Sequence, residues 1–272
     1  MTIAFTPLTD VFGVEADGVD LNEPLSPEDC AAVRRALAEH LVVVFHGQDL
    51  DADGYLRAMQ QLGEPMQQHY SQYNMGTNPL VGVLSSTESA KTEEGQRFVR
   101  GSSSWHTDHI NHERPPFSTV LYALKLPSQG GDTSFADMRA AYKALPEEWR
   151  QRVDPMQTVN KLDREIVATA EDQKRYAKPA VHPLVRVHPE TGERALYFHP
   201  TKCAYIEGMQ PEDSWRFLDE LMDVSIKPEF TYRHKWQVGD IVMCDNRAAL
   251  HKAHADYNPE EGRLLYRVVL RD

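Results

Sequence analysis

Cysteine is scarce in this 272-residue chain, and the few cysteines are badly placed for cross-linking. Cys30, Cys203 and Cys244 lie far apart in the sequence and are odd in number. This pattern indicates neither a disulfide framework nor a cysteine-rich zinc site. Because chains without disulfides are typical of reducing compartments, we expect a cytoplasmic protein.

Long apolar runs and an excess of positive charge are also missing. No apolar run approaches the length needed to span a bilayer, and the N-terminus lacks a basic region followed by an apolar core. The formal net charge is −12. Because nucleic acid and anionic membranes attract basic surfaces, we expect neither as a partner, and a small molecule is the expected ligand.

The patterning of the rest of the chain predicts a mainly β protein decorated with helices. Short alternating or apolar segments separated by turns are typical of strands, as at 41–45 and 118–126. Helical periodicity follows Ser26 and Pro27, which suit the N-cap and the first helical position, and recurs over 211–224. At 272 residues we expect a single domain over 1–272, although patterning alone would allow several kinds of barrel.

A His-x-Asp motif at His106 and Asp108 provides the first chemical signal. On a β-strand these two side chains would share one face, because strand side chains alternate with period two. The motif alone is weak evidence for a metal site. It becomes stronger evidence with a third ligand that is distant in the sequence, for which His251 is the candidate. Two histidines and one carboxylate form the facial triad that holds Fe(II) in non-haem oxygenases and leaves three coordination positions open.

Two arginines near the C-terminus indicate that an anion binds beside this metal site. Arg263 and Arg267 lie four apart on a strand-like run, so both should point to one face, opposite Leu264 and Val268. Guanidinium groups beside a histidine indicate an anion site. A 2-oxoacid can chelate iron, and the distal carboxylate of 2-oxoglutarate then requires a bidentate cation.

The segment from Trp105 to Thr133, with its Gly-Gly-Asp-Thr turn, and the segment from Gly239 to Arg267 together resemble the TauD/TfdA family of Fe(II)/2-oxoglutarate dioxygenases. The resemblance spans nearly the whole chain. It implies a double-stranded β-helix, or cupin-like jelly roll, and a homo-oligomer. It also implies Fe(II) as cofactor, with 2-oxoglutarate and O2 as co-substrates.

The resemblance further assigns roles to individual residues. His106, Asp108 and His251 would bind iron, and Thr133 with Arg263 would hold the distal carboxylate of 2-oxoglutarate. Arg267 would face the anionic end of the prime substrate, a carboxylate or sulfonate whose hydroxylation could be followed by C–O or C–S cleavage. The implied substrate-binding residues in the segment before Trp105 are His69, Tyr70, Tyr73 and Ser102. Members that act on taurine have asparagine at the position of Ser102, so taurine itself is not favoured.

Two other classes of function fit part of the pattern. A zinc-dependent hydrolase or isomerase on a cupin-like barrel could use His106, His109 and His112, but would leave Thr133 and both arginines without a role. A non-catalytic jelly-roll protein could bind the same ligand without needing Asp108. The charged segment 154–178 is poorly patterned and is expected to form a flap over the site.

Overall fold

The computed structural model describes residues 3–67, 70, 74–76, 78–86 and 103–272. Two β-sheets form its centre. The larger has nine strands in the order β1-β2-β3-β15-β7-β17-β6-β5, with β4 paired to β17. Its strands are β1 (Ala4–Pro7), β2 (Val14–Asp17), β3 (Val42–Phe45), β4 (Glu64–Met66), β5 (Asn74–Met75), β6 (Asn78–Ser85), β7 (Ser118–Lys125), β15 (Ile241–Asp245) and β17 (Leu264–Arg271).

The second sheet has three strands in the order β14-β8-β16 and packs against the large sheet through a shared buried cluster. These strands are β14 (Thr231–His234), β8 (Thr133–Asp137) and β16 (Ala249–Ala253). Apart from them lie the sheet β10-β9-β13 and the hairpin β11-β12. Their strands are β9 (Gln157–Asn160), β10 (Ala180–Pro183), β11 (Val185–Val187), β12 (Arg194–Leu196) and β13 (Cys203–Ile206).

Alternation along the strands divides the core into two layers. On β15, Ile241 and Met243 pack with Val268 of β17 in one buried cluster, which includes residues of the first two helices. Val242 and Cys244 point to the opposite face and pack in another cluster with residues of the small sheet. This two-sheet packing is the predicted mainly β fold with helical decorations, and its jelly-roll core is confirmed by the solved relatives described below.

Six α-helices lie around the sheets in the described part of the chain. They are α1 (Pro27–His40), α2 (Ala52–Gln60), α3 (Met138–Ala144), α4 (Glu147–Val153), α5 (Ala170–Arg175) and α6 (Pro211–Ser225). Ser26 caps α1 as predicted, since its side chain accepts a hydrogen bond from the Asp29 N–H at 3.1 Å. Within the described residues, no helix is both long and apolar enough to cross a bilayer.

Two local predictions were wrong. Asp108 does not lie on a strand: His106 forms an isolated bridge, and the chain turns at Asp108. The segment 154–178 is not irregular throughout, because it contains β9, which pairs with both β10 and β13 and buries Thr158 and Asn160. In both places long-range pairing determines the local structure, and a local pattern carries little of that information. The single domain over 1–272 stays a prediction.

Candidate active site

Backbone pairing brings His106 and His251 together. His251 lies on β16, whose partner on one side is β8. On the other side, the His106 N–H donates to the His251 carbonyl at 3.0 Å, and the His251 N–H donates to the His106 carbonyl at 2.8 Å. The centroids of the two imidazole rings are 4.3 Å apart. Residues 145 positions apart in sequence are thus fixed side by side by two hydrogen bonds.

Asp108 lies in the turn that follows His106 and is the third residue of the set of possible metal ligands. Its Oδ2 lies 3.8 Å from Nε2 of His251, and ligand atoms of His106, Asp108 and His251 all lie within 4.8 Å of one another. All three residues are buried. Within the described residues, this is the only set of three or more His, Cys, Asp or Glu residues with such spacing.

The protonation of the two histidines suits metal binding. Nδ1 of His106 lies 2.7 Å from the Ser104 carbonyl oxygen. A carbonyl can only accept, so Nδ1 carries the proton and Nε2 keeps its lone pair. Burial lowers the pKa of His106, and burial together with the nearby His106 lowers the pKa of His251 to about 3. Both rings are therefore neutral near pH 7, as metal ligands must be.

The carboxylate of Asp108 is held ionised and in a fixed orientation. Burial alone would raise its pKa, but the charge of Arg267, joined at low pH by that of the protonated His251 ring, keeps the pKa of Asp108 well below its usual range. The Thr119 hydroxyl on β7 donates to its Oδ2 at 2.7 Å, and the Asn246 side-chain amide donates to the Thr119 oxygen at 3.0 Å. Two imidazole nitrogens and one carboxylate are the donor set that Fe(II) takes in facial triads, so the group fits this ion.

The orientation of Asp108 leads to a prediction for Thr119. Thr119→Val keeps the side-chain shape but removes the hydroxyl, and loss of such a supporting hydrogen bond typically weakens metal binding by about 10- to 100-fold. Anaerobic competition with a chromogenic Fe(II) chelator measures this change. Ser118→Ala is the matched control, because the buried Ser118 hydroxyl donates to the Thr119 carbonyl rather than to Asp108. Equal affinities in wild type and Thr119→Val would contradict the prediction.

Arg263 lies in a second, adjoining part of the site. Its Nε–H donates to the Gly131 carbonyl at 2.8 Å, which fixes the guanidinium against the Gly-Gly-Asp-Thr turn. Gly131 has φ +73°, and a Cβ there would stand 3.2 Å from Cδ of Arg263, so the close approach requires glycine. Two residues later Thr133 begins β8, and its hydroxyl oxygen accepts from the Trp236 indole N–H at 3.1 Å.

The electrostatic environment of Arg263 is that of an anion site. The residue is only 8% exposed, and no carboxylate of the described residues lies within ion-pair distance of its guanidinium. Burial lowers the pKa of Arg263 to about 10, which still leaves it charged near neutral pH. An unpaired buried cation costs several kcal/mol by order of magnitude, so an anionic ligand at this position would be bound favourably.

Arg267 lies beside the metal donors. It is on β17, and its Nη1 is 3.5 Å from Oδ1 of Asp108. As predicted, Arg267 is on the opposite face of the strand from Val268, which packs in the cluster that includes residues of α1 and α2. The site therefore contains two separate guanidiniums, one at the Gly-Gly-Asp-Thr turn and one at the carboxylate of the triad.

Of the four other predicted substrate-binding residues, the structure describes only Tyr70. His69, Tyr73 and Ser102 lie outside the described residues. Tyr70 is buried, and its hydroxyl oxygen accepts a hydrogen bond from the Asp163 N–H at 3.1 Å. This contact ties the segment before the triad to the turn after β9.

The histidine cluster that a zinc enzyme would require is not formed. His109 has φ +54° and packs against His112, with ring centroids 5.4 Å apart, and neither belongs to the group of metal donors. The acidic and basic residues at the end of β15 have a structural role, since Arg247 Nη2 lies 2.6 Å from Oδ2 of the buried Asp245.

Sequence reasoning missed three residues around the site. Trp236 contacts Thr133, Thr119 contacts Asp108, and Lys202 is buried next to His199, whose ring centroid is 5.3 Å from that of His106. Trp236 is far in sequence from Thr133, and His199 and Lys202 are far in sequence from His106, so no motif marks these contacts. Thr119 could have been suggested only by knowing that β7 passes beneath the turn at Asp108.

Comparison with known proteins agrees with this geometry. The family model described as "Taurine catabolism dioxygenase TauD, TfdA family" matches residues 4–269. The α-ketoglutarate-dependent 2,4-dichlorophenoxyacetate dioxygenase of Cupriavidus pinatubonensis is 29% identical over 100% of this chain and 99% of its own length. The α-ketoglutarate-dependent sulfate ester dioxygenase of Pseudomonas putida is 32% identical over 97% of this chain and 88% of its own.

A solved structure provides a further comparison. The crystal structure of AAD-2 in complex with Mn(II) and N-oxalylglycine superposes with a TM-score of 0.82 at 28% identity, over 99% of this chain and 97% of that one. N-oxalylglycine has the two carboxylates and the α-carbonyl of 2-oxoglutarate, so that complex combines a divalent metal with a co-substrate analogue. The chain thus belongs to the TauD/TfdA family and is an Fe(II)- and 2-oxoglutarate-dependent dioxygenase.

Proposed function

We propose that the enzyme hydroxylates a small organic anion, a carboxylate or a sulfur oxyanion, at a carbon close to its charged end. This proposal rests on the position of Arg267. Its Nη1 lies 3.5 Å from Oδ1 of Asp108, whereas Arg263 lies apart, at the Gly-Gly-Asp-Thr turn. One guanidinium would bind 2-oxoglutarate, and the other, beside the metal donors, would bind the charged end of the prime substrate. Two relatives are named for their action on a phenoxyacetate and on a sulfate ester, which supports an anionic substrate.

The roles of the chain's own residues follow from the geometry. His106, Asp108 and His251 would hold Fe(II), while Arg263 and the Thr133 hydroxyl would bind the distal carboxylate of 2-oxoglutarate. Once bound, the metal with 2-oxoglutarate and O2 supplies an oxidation that converts one substrate C–H bond to an alcohol and yields succinate and CO2. Arg267 would fix the substrate by its charge and so determine which carbon lies nearest the metal donors.

The fate of the alcohol depends on its neighbour in the substrate. When the hydroxylated carbon also bears an ether or ester oxygen, the product is a hemiacetal-like species that expels that oxygen and leaves a carbonyl compound. A sulfonate on the same carbon would leave as sulfite. Cleavage would therefore follow hydroxylation without any additional group from the protein.

Anaerobic titration tests the proposed function at its first step. Apoprotein is titrated with Fe(II) and then with 2-oxoglutarate, while the weak visible charge-transfer band of the chelate is monitored. We expect a saturable band, and under air we expect succinate release that is stimulated by some carboxylates, sulfonates or sulfate esters but not by their amides or neutral esters. Failure to form the band with iron bound would refute the proposal.

Assembly and location are proposals carried by the family resemblance and by composition. We infer a homo-oligomer, because the resembled family is oligomeric, and a cytoplasmic enzyme, because Fe(II) and three free cysteines are compatible with a reducing compartment. Sedimentation of the purified protein and fractionation of its native cells test these two inferences.

A further inference from the structure

The hydroxyl of Thr133 is a buried donor whose proton has no acceptor in the described part of the chain. Thr133 is 2% exposed, and its hydroxyl oxygen accepts from the indole N–H of Trp236 at 3.1 Å. An indole N–H can only donate, so the hydroxyl must be the acceptor in this contact. The hydroxyl proton is therefore directed away from Trp236, and none of the described residues accepts it. Leaving a buried donor unpaired is costly, which indicates an acceptor on a ligand.

One turn holds both this hydroxyl and the guanidinium of Arg263. Nε–H of Arg263 donates to the carbonyl of Gly131, which lies two residues before Thr133 in the Gly-Gly-Asp-Thr turn. The guanidinium is buried and has no carboxylate partner among the described residues. A carboxylate accepts hydrogen bonds from both guanidinium and hydroxyl groups. The two donors are therefore suited to binding one carboxylate together.

The buried carboxylate of Asp240 fixes the chain on both sides of Trp236. Before Trp236, Nε2 of the buried His234 lies 3.0 Å from Oδ2 of Asp240. After it, the Gln237 N–H donates to the same oxygen at 2.8 Å. The His234 ring also meets the indole edge-on, with centroids 4.7 Å apart and planes at 87°. These contacts hold the indole in place, so its N–H has a fixed direction.

Strand pairing and apolar packing place Trp236 next to this carboxylate site. His234 is the Cα partner of Thr133 at the end of the β14–β8 pairing, and Trp236 lies two residues beyond it. The indole packs against a small apolar cluster that includes Leu265, two residues after Arg263. Trp236 thus contacts Thr133 and also packs near the segment that supplies the guanidinium.

Building on the proposed function, we propose that Trp236 is a positioning residue for 2-oxoglutarate that acts through Thr133. The indole N–H occupies a lone pair of the hydroxyl oxygen, which leaves the hydroxyl proton for the distal carboxylate. Without the indole, the hydroxyl would rotate freely and would present its oxygen to the carboxylate in part of its orientations. Trp236 would thereby strengthen the binding of the distal carboxylate and leave the metal-chelating end of the co-substrate unaffected.

Calorimetric titration of the Mn(II)-loaded protein with two probes tests this role without turnover. N-oxalylglycine has the distal carboxylate, whereas oxalate has only two carboxylates that chelate a metal. Trp236→Phe keeps an aromatic ring but removes the N–H. We expect this variant to bind N-oxalylglycine about three- to tenfold more weakly than wild type, the effect of losing one neutral hydrogen bond. Its affinity for oxalate should change by less than about twofold.

A double-mutant cycle determines whether Trp236 acts through Thr133. Thr133→Val should weaken N-oxalylglycine binding by about 10- to 100-fold, because it removes a hydrogen bond to a charged group. Adding Trp236→Phe to Thr133→Val should weaken binding by less than about a further twofold, because the indole then has no hydroxyl to orient. If Trp236 acted by packing alone, its replacement would have the same effect in both backgrounds.

Trp215→Phe is the matched control. Trp215 lies on α6 and is half-buried like Trp236, and its indole N–H donates to the Cys203 carbonyl at 2.9 Å. The same substitution there removes the same kind of hydrogen bond without touching Thr133. This variant should bind both probes as wild type does. Thermal melting checks that each variant is folded at the temperature of the titration.

The outcomes separate this inference from the proposed function. Equal weakening of N-oxalylglycine and oxalate in Trp236→Phe, or unchanged affinity for N-oxalylglycine, would overturn the role of Trp236. An undiminished effect of Trp236→Phe in the Thr133→Val background would overturn it as well. In each of these cases wild type still binds N-oxalylglycine, so the proposed function stands. Mn(II)-loaded wild type that fails to bind N-oxalylglycine would instead refute the co-substrate role on which the proposed function depends.

Discussion

Replacing Asp108 with alanine should abolish 2-oxoglutarate turnover by removing the only carboxylate of the proposed triad. The side chain is buried, accepts from Thr119 and lies 3.5 Å from Arg267. Without it, a divalent ion would be held by two neutral imidazoles, with no carboxylate between the ion and the guanidinium of Arg267. Removing one partner of a buried charge pair costs about 3–5 kcal/mol. This corresponds to a loss of metal affinity of about 150- to 4000-fold.

Two measurements on the Asp108→Ala variant separate metal loss from unfolding. Fe(II) affinity is measured by anaerobic chelator competition, and the fold is checked by circular dichroism and thermal melting. Asp219→Ala, an exposed change on α6, is the matched control and should retain full affinity and turnover. A folded Asp108→Ala variant that still binds Fe(II) tightly and releases succinate at the wild-type rate would rule out Asp108 as a metal ligand. A non-catalytic ligand-binding protein would instead release no succinate in either form, and the Asp108→Ala variant would keep its ligand.

The sequence allowed us to predict that the metal donors come together, because their residue types suit only a few kinds of metal site. A His-x-Asp pair needs a third donor and an anion-binding group, and His251, Arg263 and Arg267 supply them within one short C-terminal segment. The structure brings the three donors to within 4.8 Å. Ser26 and Pro27 likewise predict the start of α1, because capping depends only on neighbouring residues.

The remaining features depend on contacts that have no local signature. Asp108 occupies a turn rather than a strand because His106 pairs with β16, a partner 145 residues away in sequence. The charged segment 154–178 contains a buried strand because β10 and β13 cover both of its edges. His199, whose ring lies against that of His106, belongs to the turn before β13, and the pairing of β13 with β9 places this turn. A single sequence specifies such pairings only through the whole fold, so local patterns do not reveal them.

Replacing Arg263 with methionine should prevent 2-oxoglutarate binding while leaving Fe(II) binding intact. The guanidinium is buried and has no carboxylate partner among the described residues, so the distal carboxylate of 2-oxoglutarate would be its counter-ion. Leaving one charge of such a pair buried and unpaired costs about 2–5 kcal/mol, or roughly 30- to 4000-fold in affinity. The half-saturation concentration of the charge-transfer band measures this loss directly.

Arg233→Met is the matched control for this change. Arg233 is 42% exposed and pairs with Asp132 and Asp256 at the same turn, but outside the site. It should bind 2-oxoglutarate as wild type does. Unchanged 2-oxoglutarate affinity in a folded Arg263→Met variant would contradict the assignment of Arg263. The other cation, Arg267, would then become the candidate for the distal carboxylate.

Arg263→Lys distinguishes charge from geometry. Nε of Arg263 is already engaged by the Gly131 carbonyl at 2.8 Å, which leaves the two terminal nitrogens to pair in parallel with a carboxylate. A lysine keeps the charge, but it cannot both bond Gly131 and present a planar fork. We therefore expect Arg263→Lys to fall between wild type and Arg263→Met in 2-oxoglutarate affinity. Wild-type affinity in Arg263→Lys would show that a point charge is sufficient, and that Gly131 serves only to make room for the side chain.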